Sequence, residues 1–133
     1  MSYDVGLLVD GVVAKVDNHQ EGGSYVLGGS GSAELNITYN YAEIYQLVPA
    51  LLGGRPETEV WHSTAEKEER FGIRWLDGRT AAETLPILEK AVEVLGTNRF
   101  SDYWAPTPGN AGYALSILVC WSKQYPNGVW VVR

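Results

Sequence analysis

The chain carries a single cysteine, Cys120, so it cannot close an intrachain disulfide, and a reducing interior is its natural setting. Histidine is almost as scarce. His19 and His62 stand far apart with no HxxxH or HxH spacing, which argues against a structural zinc site. No run approaches the roughly 18 apolar residues of a membrane span, and the start "MSYDVGLLVDG" has acids around its short apolar run with no basic n-region. Basic residues are few as well. Ten Lys and Arg against 16 Asp and Glu give a formal charge of −6 and a pI near 4.8, and the ten are scattered. A phosphate backbone is neutralised mainly by clustered Lys and Arg, so nucleic acid is excluded as the expected partner. These absences predict a cytoplasmic protein with no cofactor and no metal, bound to neither nucleic acid nor membrane, and either monomeric or a homodimer.

What is present fits one globular domain, residues 1–133. That length matches the commonest domain size, and 45% hydrophobic with 20% charged residues is too apolar for disorder. Five Trp and eight Tyr are many for this length. Either the core is built around aromatic rings or some of them form a binding surface.

Local patterns give an order of elements. Asp10-Gly11 between two apolar runs is a hairpin signal, because both turn positions favour positive φ; it predicts strands over 5–9 and 12–16. Further strands are expected at 24–27 and 33–39, completing an antiparallel meander. In "LNITYNYAEIY" Asn40 and Glu43 have capping-box spacing and predict a helix over 41–52, stopped by Gly53-Gly54. Residues 55–70 are polar, with a short helix capped by Ser63 or Thr64. Thr80, Glu83 and Gly96 bracket a second long helix that buries Leu85, Leu88, Val92 and Leu95, with Pro86 inside the pattern. Thr107-Pro108 opens a helix that is apolar nearly all round, with Cys120 an inert core residue and Gly112 a point of close approach. "VWVV" closes the chain as a strand whose edge is open to self-association. The order of strands is not legible from these patterns. The expected class is α+β, with an N-terminal antiparallel β-meander packed on a cluster of three to four helices and a short C-terminal strand.

Chemistry has few places to sit. Gly28-Gly29-Ser30-Gly31 lacks a following Gly-Lys-Ser/Thr and leads into a strand, so it reads as a turn rather than a phosphate loop. The residues with binding character are Asn36, Tyr39, Tyr41 and Tyr45 in the first motif, Arg74 and Trp75 in "FGIRW", and Asp102, Tyr103, Trp104 and Asn110 in "DYWAPTPGNA". Such groups stack on rings, donate to carbonyls or pair with an anion, and a helix start at Pro108 could offer free N–H groups. The competing reading is that the rings pack and Asp102 and Asn110 satisfy local backbone.

The stretches "GGSYVLGG", "LNITYNYAEIY", "FGIRWLDGRTAAETLPILEKAVEVLG", "DYWAPTPGNAGYAL" and "PNGVW" resemble a family of small hypothetical proteins of phages, prophages and actinobacterial genomes. The resemblance spans roughly residues 22–130 and implies a context, mobile-element proteins that modulate host machinery, without carrying over an activity or a catalytic residue. The acidic segment near 55–70 departs from the shorter form of that family. Two functions are therefore expected. The first is a non-enzymatic inhibitor or anti-defence factor docking on a host or phage protein, with Trp61 or Tyr45 on an exposed patch. The alternative is a small-molecule or nucleotide-binding domain, a hydrolase or transferase, with Tyr39, Arg74, Asp102, Tyr103 and Asn110 around a pocket.

Overall fold

A computed structural model gives the architecture and describes residues 2–16, 24–26, 32–41, 44–45, 72–98, 100–102 and 105–133. The expected helix over 41–52 lies largely outside these residues. The glycine-rich turn at 28–31, the polar segment 55–70, Tyr103 and Trp104 lie wholly outside them.

The chain is α+β, as its patterns predict. Strand β1 is Ser2–Val9, β2 Val12–Val13, β3 Ser24–Val26, β4 Glu34–Thr38 and β5 Val129–Val132. Helix α1 is Ala81–Leu95 and α2 Pro108–Gln124, with 3-10 turns at Tyr39–Tyr41 and Gly72–Leu76. Among the described residues the helical layer thus has two α-helices, not three to four. The motif "GIRWL", for which the sequence patterns predict no element, winds into a short 3-10 turn.

Strand β1 is the hub of the sheet. It pairs antiparallel with β2, β4 and β5, while β3 pairs with β4. Leu8 faces both Val13 and Val129, and Val5 faces both Leu35 and Val132, so β5 takes one edge of β1 while β2 and β4 share the other. A bridge between Lys15 and Ser32 ties the two segments on that shared edge. The β1–β2 hairpin turns on Asp10 and Gly11, with φ of 54° and 78°. Gly11 reaches that conformation without a Cβ penalty, and Asp is among the few other residues that tolerate it.

Alternation along β1 sends Tyr3, Val5 and Leu7 to one face, where their partners Ile37, Leu35, Val132 and Trp130 join them in the core. The helices cover this face. Thr80 Oγ1 accepts from Glu83 N at 3.1 Å and Gly96, at φ 76°, closes α1 as its C-cap. The return leg of the capping box is absent because the Glu83 carboxylate pairs with Arg79. The fully buried stripe of α1 is Ala81, Thr84, Leu88 and Ala91, with Leu85, Val92 and Leu95 only half-buried. Small residues occupy that stripe where α2 lies against it. At the crossing, a Cβ on Gly112 would sit 1.8 Å from the Gly96 carbonyl oxygen, and one on Gly109 would sit 1.9 Å from that of Asn98.

Two expectations about the ends of this layer are corrected. Cys120 is exposed, because 113, 116, 120, 123 and 124 form the outward side of α2 while Leu118 and Trp121 turn inward. The outer edge of β5 is not open for pairing. Gly78 N donates to Trp130 O, Trp130 N donates to Arg79 O, and the Asp77 carboxylate accepts from Val132 N, which occupies that edge.

Candidate functional site

The corner after β4 shows what the tyrosines of "NITYNY" do. Thr38 Oγ1 accepts from Asn40 N at 3.2 Å, so a hydroxyl one position before the 3-10 turn takes the backbone donor of the residue expected to be the cap. Tyr41 and Tyr45 then turn inward, 1% and 0% exposed, with rings edge to face at 6.1 Å. The Tyr45 hydroxyl donates to the Ala111 carbonyl at 2.9 Å, tying the corner to α2. Burial raises the Tyr45 pKa well above 10 and lifts that of Tyr41 to about 12, helped by the nearby Asp102 carboxylate. Tyr45 therefore cannot anchor an exposed docking patch.

Tyr3 joins this group and was not legible as a site residue, since in the sequence it lies ahead of the strand expected over 5–9, while β1 begins at Ser2. Its ring lies 4.5 Å from that of Tyr39, and the Arg74 guanidinium sits 5.2 Å over it. Arg74 Nη2 donates to the Tyr39 hydroxyl at 3.1 Å. Burial raises the Tyr3 pKa, and the Arg74 charge opposes part of that rise.

The other predicted residues go elsewhere. Asn110 is buried and holds the loop before α2: its Oδ1 accepts from Phe100 N, and its Nδ2 donates to the carbonyls of Asp102 and Ala105. Its own N–H is taken by Thr107 Oγ1, so that donor is not free for an anion. Trp75 lies under Arg79 at 4.5 Å and its carbonyl accepts from Arg79 Nε. Asn36 is on the opposite face of the sheet, where its Nδ2 donates to Asp4 Oδ1 at 2.9 Å. The predicted pocket of Tyr39, Arg74, Asp102 and Asn110 is thus divided between a tyrosine cluster and a loop brace.

The opposite face of the sheet holds a hollow of about 240 Å³. Its origin is the register. Gly6 faces Glu34 on β4 and Val131 on β5, with Asp4 and Leu8 two residues away along β1. Side chains rise on all four sides of a residue that has none, and Val13 and Arg133 complete the rim. A Cβ on Gly6 would meet Leu8 Cδ1 at 3.6 Å and Glu34 Cγ at 3.7 Å, ordinary contacts, so the glycine is not forced by crowding. Val129, 38% exposed, pairs with Leu8 at one end of the hollow.

Among the described residues no group of three His, Cys, Asp or Glu could hold a metal ion, and no helix is long and apolar enough to cross a membrane. No protein-family model, curated protein or solved structure matches the chain.

Proposed function

We propose that the protein is a small acidic binding protein of the phage or mobile-element type, acting in the cytoplasm as an inhibitor or anti-defence factor on a host protein. The Gly6 hollow carries this reading. The face it occupies is the one turned away from α1 and α2, and it combines an apolar wall of Leu8, Val13 and Val131 with the carboxylates of Asp4 and Glu34 against one guanidinium, Arg133. A partner segment with an apolar side chain beside a Lys or Arg complements it, and the net charge of −6 steers such a basic surface toward the chain. The motif resemblance supports the mobile-element context. The alternative of one pocket lined by Tyr39, Arg74, Asp102, Tyr103 and Asn110 loses support because Asn110 is spent on bracing the loop before α2, while Arg74 bonds Tyr39 in a separate cluster.

The test is capture from a bacterial lysate on immobilised protein at low salt, in parallel with Gly6→Val and Glu34→Lys. The expected result is a partner held by the native chain, lost from both variants and released as ionic strength rises. A lysate that yields no partner, or one retained equally by Gly6→Val, contradicts the proposal.

A further inference from the structure

Arg74 differs from its neighbour Arg79 in one respect. Arg79 has a counter-charge: it pairs with the Glu83 carboxylate, donates to the Trp75 carbonyl and stacks on the Trp75 ring. Arg74 is half-buried, is held from two sides by Tyr3 and Tyr39, and has no carboxylate partner among the described residues. The Tyr39 hydroxyl takes one of its five N–H donors and the Tyr3 side chain is hydrogen-bonded to it as well, while the rest have no acceptor among the described residues. A half-buried guanidinium held in place with no carboxylate beside it among the described residues gains from any group that supplies the counter-charge.

We propose that Arg74, with the hydroxyl groups of Tyr39 and Tyr3, is a binding site for an oxyanion, the carboxylate or phosphate group of a small molecule. The guanidinium supplies the charge and a planar fork of donors. Tyr39 adds a second donor, because its oxygen accepts from Arg74 while its own proton goes to no described acceptor. Tyr3 supports the guanidinium face, and its hydroxyl, protonated at neutral pH like that of any tyrosine, is a further donor. The 3-10 turn Gly72–Leu76 fixes Arg74 on one side and the Tyr39–Tyr41 turn fixes Tyr39 on the other, so the arms of the site come from two rigid corners. Tyr3 points to the helix side of the sheet, away from the Gly6 hollow, so this site is separate from the proposed docking face and does not depend on it.

Titration of ¹⁵N-labelled protein with sodium phosphate and, separately, sodium acetate, at ionic strength held constant with sodium chloride, tests the site by NMR. The expected result is a saturable shift of the Arg74 Nε–Hε signal and of the Gly72–Leu76 amides. Arg74→Gln should weaken binding, followed on those amides, by about tenfold or more, and Tyr39→Phe by a smaller factor, with melting temperature checked for both. Saturation by phosphate alone assigns a phosphate-bearing ligand, and saturation by acetate alone a carboxylate-bearing one. Shifts that never saturate with either anion, or unchanged affinity in a folded Arg74→Gln or Tyr39→Phe variant, overturn the proposal.

Discussion

The indole N–H of Trp130 donates to Thr84 Oγ1 at 2.8 Å, joining the last strand to the first turns of α1 inside the core. Thr84 passes its own proton back to the Thr80 and Ala81 carbonyls, so the hydroxyl is used in both directions. Trp121 is equally buried, yet its indole N–H has no partner among the described residues. Both tryptophans lose the same volume when changed to Phe. Trp130→Phe should therefore destabilise by about 1 kcal/mol more than Trp121→Phe in urea unfolding, the net worth of one hydrogen bond. Equal losses would show that the Thr84 contact contributes nothing.

Asn110 should behave as a structural brace. Asn110→Ala removes partners from Phe100 N and from the Asp102 and Ala105 carbonyls, and should cost about 2–4 kcal/mol by denaturant unfolding. Oxyanion binding at Arg74 should survive in the variant at temperatures where it stays folded. Lost binding with a native melting curve would return Asn110 to a ligand role.

Alkali should unfold the protein through its buried tyrosines. Burial pushes the Tyr41 hydroxyl up to about 12 in the folded chain, against an ordinary tyrosine value of 10, and raises Tyr45 as well. The folded state therefore keeps these protons when the unfolded chain has released its own. Their stabilisation is complete below pH 10 and is lost as pH rises toward 12. Tyr41→Phe should flatten the fall in stability between pH 10 and pH 12, measured by circular dichroism. An unchanged slope would place the Tyr41 hydroxyl in water.

The two glycines with the sharpest contrast are Gly112 and Gly6. Gly112→Ala drives a methyl into the Gly96 backbone and should cost about 3 kcal/mol or more, because neither helix can shift without disturbing the other. Gly6→Ala meets only ordinary contacts and should be neutral or slightly stabilising, since glycine weakens a strand. Thermal melts of the two variants separate these cases directly.

What the sequence revealed and what it hid follow from range. Asp10-Gly11, Thr80, Gly96 and Thr107-Pro108 act through neighbours a few residues away, and each ends an element where its local chemistry requires. The roles of Tyr3, Gly6 and Arg74 come from pairings between segments some 30 to 130 residues apart. No local pattern encodes that β1 takes three partners, that Gly6 lies at the centre of four side chains, or that Tyr3 stacks on Tyr39. Cys120 was misread for a related reason. A helix that is apolar in composition still has an outward side when only part of its circumference meets the rest of the core.

The most direct test of the docking account is the affinity of the captured partner for the native chain, for Gly6→Val and for Arg74→Gln, measured by calorimetry at one low ionic strength. The account predicts that Gly6→Val weakens binding by about tenfold or more while Arg74→Gln leaves it unchanged, because the hollow and the arginine lie on different sides of the sheet. Equal affinity for the native chain and a folded Gly6→Val would contradict it.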